Sequence, residues 1–459
     1  MRKLVPLLLS LCATLPVWGA DADIHIPFEK YKLKNGMRVV LSRDTAVPVI
    51  AVYAIYDVGA RSEEQGRTGF AHLFEHMMFE GSAHVAKGEH FKYIQSNGGT
   101  MNGSTHPDYT DYFETLPSNK LGLALWLESD RMRSLAITAE NLKNQQEAVK
   151  QEKRLSFDNQ PYATAIVENY PKLVFGNFQS SHSLIGSFED LNAASVDDVA
   201  KFFKTYYAPN NAVLVIAGDF QAADAKKMVE QYFGDIPAQP QPKRPDMTEP
   251  VRTEGKTETV PDQHARVPGV IIAWPGPTRH SADWFAINML DAVLTGGESC
   301  RLQLDLVKGK QSLIQYQTNP GWPFESAIDY KDPNEYAAFL LYKPNFQAQQ
   351  VVEQFQGEID RIAKDGVAAK ELDRVKAVLR YSKASSLQTA LERAKALGIY
   401  EMLDGKPELF DQDYTSLFKV TSAQMQAAAQ KYLAAKRRDV LIIQPAPPPA
   451  AAGSGRSAQ

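Results

Sequence analysis

The sequence predicts an α+β protein. Its two tandem homologous domains are α/β sandwiches, each a mostly antiparallel sheet packed with helices. Three observations predict this. Runs of β-branched and aromatic residues alternate with long stretches of helical period. The same order of elements occurs twice along the chain. A Pro-rich, polar stretch, IPAQPQPKRPDMTEP (Ile236 to Pro250), separates the two copies and reads as a linker.

The repeat is visible in order and spacing. In the first half the strand run VIAVYAIY (Val49 to Tyr56) precedes Gly59 and Arg61, then an apolar helix, then Gly81-Ser82. In the second half VIIAW (Val270 to Trp274) precedes Gly276 and Arg279, then the helix FAINMLDAVL, then Gly296-Gly297 and Ser299. Arg61 to Ser82 is 21 residues and Arg279 to Ser299 is 20. The ends correspond too. Ser195-Val-Asp-Asp opens a helix with a capping-box pattern before the strand NAVLVIAGD, and Thr421-Ser-Ala-Gln opens another before RRDVLIIQ. The stretch ELDRVKAVLRYSKASSLQTALERAKALGIYEML has continuous helical period, and its first-half counterpart is the polar helix around NLKNQQEAVKQEKR.

Composition bounds the function. The chain has 459 residues, 44% apolar and 23% charged, with a net charge of −4. That balance excludes a nucleic-acid binder working through bulk electrostatics. The start, MRKLVPLLLSLCATLPVWGADAD, reads as a signal peptide over residues 1–22: a basic beginning, an apolar run from Leu4 to Leu15, then small residues. The run is too short to span a bilayer and is interrupted by Pro6 and Pro16. Leu11 is too large for a lipoprotein site at Cys12. The expected product is exported, periplasmic by preference, with no membrane span after cleavage. It keeps only Cys300 and so has no internal disulfide. The domain plan is then 23–235, the linker 236–250, 251–446, and a low-complexity, disordered tail 447–459.

The chemistry centres on AHLFEHMMFEGS. On a helix, His72 and His76 project from one face with Glu75 beside them. Two imidazoles at that spacing suit Zn²⁺, which keeps a position open for water, and Glu75 is placed to take the water's proton. A chance His-x-x-Glu-His match anywhere in this chain is about a 1% event. Without a metal, the same residues would be two surface histidines beside an acid. A third ligand is needed. Glu140, Glu147 and Glu152 around the polar helix are all available, and the residues alone do not choose among them.

These pieces, together with LKNGMRVV, the strand ending in VGARSE, GRTGFAHLFEHMMFEGS, NGGTMNGSTHPDYTDYFETLP, QEAVKQEKR, NAVLVIAGDF and GGESCRL, resemble the pitrilysin-type (M16) zinc peptidases. The likeness is to the short, two-domain group that includes the mitochondrial processing peptidase and its bacterial relatives. It runs from KYKLKNGMRVVLS to about RRDVLIIQP. The resemblance implies one Zn²⁺ per chain, held by His72, His76 and Glu152, which lies 76 residues after His76. It implies Glu75 as general base. The family's second acid falls here on Gln145, and Glu147 is a substitute candidate near the metal. The Gly-rich segment suits an edge strand that a peptide joins by main-chain pairing, with Asn102, Gly103 and Thr105 as substrate-binding candidates. The second half is the inactive homologous domain.

One departure bears on partners. Family members that act as homodimers or single long chains carry an Arg and a Tyr seven residues apart in the second half that help hold the substrate carbonyl. Here LVKGKQSLIQYQ places Lys308 and Gln315 there, with Tyr316 one place late. Lysine does not replace a bidentate arginine, and glutamine lacks the phenol. The expectation is a heterodimer in which a related subunit supplies the pair and this chain supplies the zinc, with a homodimer as the fallback. The implied activity is an endopeptidase acting on peptides or unfolded segments inside a two-chain chamber. The alternative is a non-catalytic scaffold of the same family, against which the intact His-x-x-Glu-His speaks. His84, His90, His106, His182, His264 and His280 have no ligand spacing and are expected on the surface or in satisfied hydrogen bonds.

Overall fold

The computed structural model describes residues 25–321 and 326–446. The expected signal peptide over 1–22 and the expected tail 447–459 lie outside them. The first half forms a sheet of six strands in the order β1-β2-β6-β3-β5-β4. These are β1 (Glu29–Lys32), β2 (Arg38–Arg43), β3 (Val49–Tyr56), β4 (Thr100–Thr105), β5 (Thr110–Pro117) and β6 (Ala212–Gly218). The second half forms a sheet in the order β7-β11-β8-β10-β9. Its strands are β7 (Thr257–Asp262), β8 (Gly269–Pro275), β9 (Leu313–Pro320), β10 (Glu335–Tyr342) and β11 (Asp439–Pro445). Each sheet is antiparallel except for one parallel pair, β2 with β6 and β7 with β11. The pairs occupy matching places, so the second sheet repeats the β2-β6-β3-β5-β4 part of the first.

Strand β3 coincides with the run VIAVYAIY. Its apolar residues continue without alternation because both faces of the sheet are covered. Ile50, Val52, Ala54 and Tyr56 face a core shared with helix α1 (Phe70–Met77) and helix α2 (Ala139–Glu152). Ala51, Tyr53 and Ile55 face a second core. Helices α3 (Tyr170–Val174), α4 (Ala282–Thr295), α5 (Ala390–Asp404) and α6 (Leu409–Lys419) complete the parts of the fold that position the site.

The second core is built across the halves. Ala394, Leu397 and Tyr400 of α5, from the C-terminal half, pack on Tyr53, Val213 and Val215 of the first sheet. The exchange is reciprocal. Tyr170, Leu173 and Val174 of α3, from the N-terminal half, pack on Ile271, Ala273 and Leu441 of the second sheet. The continuous helical period of the second half resolves into two helices, Ala369–Ser386 and α5, because Thr389 caps α5 by accepting from Glu392 N. The capping boxes at Ser195 and Thr421 both form. Among the described residues, no helix is long and apolar enough to cross a membrane.

Candidate metal centre

Helix α1 begins at Gly69, whose φ of +82° places it in the left-handed region. Phe70, Leu73, Phe74 and Met77 turn into the first core. That leaves His72, Glu75 and His76 along the other edge of the helix, as the spacing predicts. Helix α2 starts at Thr138, whose side chain accepts from Asn141 N, and ends at Glu152. The packing of α2 on α1 brings Glu152 Oε2 to 3.2 Å from both His72 Nε2 and His76 Nε2.

One donor atom from each of these three residues lies within 4.8 Å of the others. Two imidazole nitrogens and one carboxylate oxygen form the donor set of a catalytic zinc site. Burial is graded across it: His72 is buried, while the side chain of Glu152 keeps 36% of its surface exposed. The open side leaves room for water or substrate. The residues therefore fit Zn²⁺ by donor type and convergence.

The electrostatics follow from the same contacts. Burial lowers the pKa of His72, but hydrogen bonds to Glu152 and Glu75 outweigh it and push the group up to about 9. Hydrogen bonds from His72 and His76 hold Glu152 far below the usual carboxylate range. Burial raises Glu75, yet the bonds from His72 and Thr105 win and leave it below its ordinary value. Each carboxylate here stays ionised at neutral pH.

The other expected residues are placed as follows. Thr105 ends the edge strand β4, and its Oγ1 donates to Glu75 Oε2 at 2.7 Å. Its hydroxyl is thus engaged by the carboxylate rather than left for a substrate. Asn102 is exposed on the same strand and Gly103 is buried. Glu147 is not brought to the triad. It is exposed and pairs with Lys150 Nζ at 2.7 Å. The reason is angular: five residues along a helix turn through roughly 140° from the face of Glu152. Gln145 lies two turns before Glu152, on its face, and carries no charge. Glu140 is exposed, in the first turn.

In the second half, Tyr316 OH meets Cys300 Sγ at 3.2 Å, and the ring packs on the second-half core. Gln315 is exposed. Neighbours on a strand point to opposite faces, so Tyr316 does not substitute for a tyrosine at 315. Lys308 Nζ lies 3.9 Å from the exposed Glu298.

Among the remaining histidines, His90 and His182 are in hydrogen bonds, one of the two outcomes expected for them. His90, Glu114 and Glu128 form a second, fully buried group with metal-like proximity. A cation already serves it: Arg131 pairs with Glu128 and lies 3.7 Å from Glu114. This group fits an internal ion-pair network rather than a metal. His182 is half-buried and bonded to the buried Glu63 at 2.9 Å across 119 residues. No local pattern signals that contact. The Thr105 bond to Glu75 spans 30 residues, and strand alternation gives only the face, not the partner.

Comparison with known proteins gives the family and the fold. The model described as "Insulinase (Peptidase family M16)" matches residues 38–187, and "Peptidase M16 inactive domain" matches 193–379. The chain is 26% identical to the zinc protease PqqE of Helicobacter pylori, over 87% of this chain and 89% of that one. It is 24% identical to the uncharacterized zinc protease YmxG of Bacillus subtilis, over 88% and 95%. Among solved structures, a protease from Helicobacter pylori superposes with a TM-score of 0.86 at 23% identity, covering 92% of this chain and 100% of that one. The periplasmic protease PqqL from Escherichia coli superposes with a TM-score of 0.73 at 16% identity, over 92% of this chain and 48% of that one.

Proposed function

The chain belongs to the M16 peptidase family, and on that premise we propose that it is a zinc-dependent endopeptidase cleaving peptides or unfolded polypeptide segments. The single observation that carries this reading is the convergence of His72, His76 and Glu152 with Glu75 on the adjoining helix face. When bound there, Zn²⁺ would supply a Lewis acid that polarises the scissile carbonyl and acidifies a water. The chain's own residues do the rest. Glu75 takes a proton from the attacking water and passes it to the leaving amine. Thr105 holds one oxygen of that carboxylate, leaving the other for the proton. Among the described residues, the outer edge of β4, beside α1, has no strand partner in its sheet. A peptide pairing there would gain main-chain hydrogen bonds and little side-chain selection, with Asn102 and Gly103 lining its path.

The inward turn of Tyr316 and the neutral Gln315 support a heterodimer. A related subunit would supply an arginine and a tyrosine to the substrate carbonyl and close the chamber, with this chain as the zinc-bearing half. The described similarity to a periplasmic protease is consistent with the exported location expected from the sequence. The test is turnover of a quenched fluorescent peptide by the mature chain alone and mixed with such a subunit, with Glu75→Gln as control. Turnover only in the mixture, abolished by Glu75→Gln, is the expected result. Turnover by the chain alone would overturn the heterodimer. Stoichiometric zinc with no turnover in either sample would overturn the endopeptidase reading in favour of a non-catalytic subunit.

A further inference from the structure

The two helices that carry the metal triad are tied together from behind by one segment. Helix α1 has no side-chain cap of its own, since Gly69 occupies that position. Its first free N–H groups are instead taken by Glu63: Gly69 N donates to Oε2 and Ala71 N to Oε1, both at 2.8 Å. A carboxylate at this end also complements the helix dipole. The side chain of Glu63 is fully buried, so its charge requires a partner. His182 provides it. Its Nε2 lies 2.9 Å from Glu63 Oε2 and its Nδ1 lies 2.8 Å from Phe178 O. The Phe178 carbonyl can only accept, so Nδ1 donates to it, and Nε2 and the Glu63 carboxyl share the other hydrogen bond.

The residues after His182 continue the tie on both helices. Thr68 N donates to Asp190 Oδ2 at 3.0 Å, and Ser187 N donates to Thr68 Oγ1 at 3.2 Å. Gly69 and Gly186 cross so closely that a Cβ on Gly186 would lie 2.6 Å from Gly69 Cα. On the other side, Gln146 Nε2 of α2 donates to Leu191 O at 2.8 Å and Ala194 O at 3.0 Å. Lys150 Nζ, also on α2, donates to Asn192 Oδ1 at 2.6 Å. One stretch of chain thus grips the start of α1 and the flank of α2. These helices carry His72, His76 and Glu152.

We infer that residues 178–194 are a brace that sets the separation of α1 and α2, and so the metal affinity of the triad. His182 with Glu63 anchors it to α1, and Gln146 anchors it to α2. The inference rests on the zinc reading above. His182, Glu63 and Gln146 are positioning residues, acting through the helices on ligands that must be held within about half an ångström to bind metal well.

The experiment is Zn²⁺ affinity by competition with a chromophoric chelator at neutral pH, with kcat and KM at saturating zinc, measured in the mixture with the related subunit, as a second readout. The variants are His182→Leu, His182→Gln and Gln146→Leu. His182→Leu leaves Glu63 without its donor, and Gln146→Leu frees two carbonyls of the brace. Each should weaken Zn²⁺ binding by about tenfold to a hundredfold, the cost typical of outer-shell losses, and lower kcat with KM unchanged. His182→Gln keeps a donor toward Glu63 and should restore affinity to within about threefold. Wild-type affinity in both leucine variants would overturn the brace. If His182→Leu does not fold, Gln146→Leu decides alone, since its site lies on the partly exposed flank of α2. A wild-type chain that takes up no zinc would overturn the peptidase reading and the brace with it. A wild type that binds zinc beside variants that bind equally well would overturn only the brace.

Discussion

Thr105 Oγ1 donates to Glu75 Oε2 at 2.7 Å, so the last residue of the edge strand β4 orients the carboxylate proposed as base. A general base needs one oxygen aimed at the water, and a fixed partner on the other oxygen supplies that aim. Thr105→Val removes the donor with almost no change in volume. It should lower kcat by about tenfold to a hundredfold while leaving zinc stoichiometry unchanged. Thr105→Ser keeps the hydroxyl and should recover most of the rate. Metal analysis on the three proteins, with steady-state kinetics of each mixed with the related subunit, checks this. Unchanged kcat in the valine variant would show that the bond is incidental.

Glu152 and Glu147 share a helix but not a role. Glu152 Oε2 sits 3.2 Å from both histidine nitrogens, whereas Glu147 is exposed and paired with Lys150. Glu152→Gln keeps the shape but replaces the anionic oxygen of the proposed ligand set with a neutral amide. It should cut zinc affinity by at least about a hundredfold. Glu147→Gln should leave affinity unchanged. Chelator competition on the two variants separates them, and a metal loss in Glu147→Gln would reverse the assignment.

The contrast between these acids marks how far the sequence carries. The helix around His72 was legible because its period is local: apolar residues and the two histidines separate onto different faces within two turns. Strand β3 was legible because an unbroken apolar run means cover on both sides. What provides the cover was not legible. Tyr53 is covered by α5, more than three hundred residues later in the chain, and an amphipathic pattern names a buried face without naming the surface it meets. Residue types alone also left Glu140, Glu147 and Glu152 open. Resemblance selected Glu152, and the α1–α2 packing then placed it beside the histidines. The Glu63–His182 pair had no signal at all, since both ends read locally as ordinary polar residues.

The exchanged helix gives a stability prediction. A Cβ added to Gly398 of α5 would lie 2.6 Å from Tyr53 Cε1 on the first sheet. Gly398→Leu therefore pushes α5 away from β3 and should cost about 1–3 kcal/mol of stability despite the better helix propensity of leucine. Gly357, in the helix Ala348–Asp365, has open space where its Cβ would stand. Gly357→Ala should stabilise by about 0.5–1 kcal/mol. Urea unfolding midpoints of both variants check the pair. A neutral Gly398→Leu would mean that α5 is not held on the sheet in solution.

The join between α5 and α6 should also make stability depend on pH. His280 Nε2 lies 3.0 Å from Asp404 Oδ1 at the end of α5, and Nδ1 lies 2.9 Å from Asp413 Oδ2 on α6. Burial lowers the pKa of this imidazole, but the two aspartates outweigh it and push it up to about 9. Arg279, whose Nε is 3.0 Å from His280 Nε2, opposes them. The folded value exceeds the unfolded one, so the protonated form binds its proton more tightly in the native state. The contribution is fully present below the unfolded pKa of about 6.5 and is lost as pH rises through about 9. Because the side chain is a quarter exposed, screening reduces the effect to about 1–2 kcal/mol. His280→Asn should be less stable than the wild type at pH 6 by about that amount, with the gap closing towards pH 9.5. Melting temperatures of both proteins across that range measure it. A gap independent of pH would mean that His280 contributes packing and neutral hydrogen bonds but no charge.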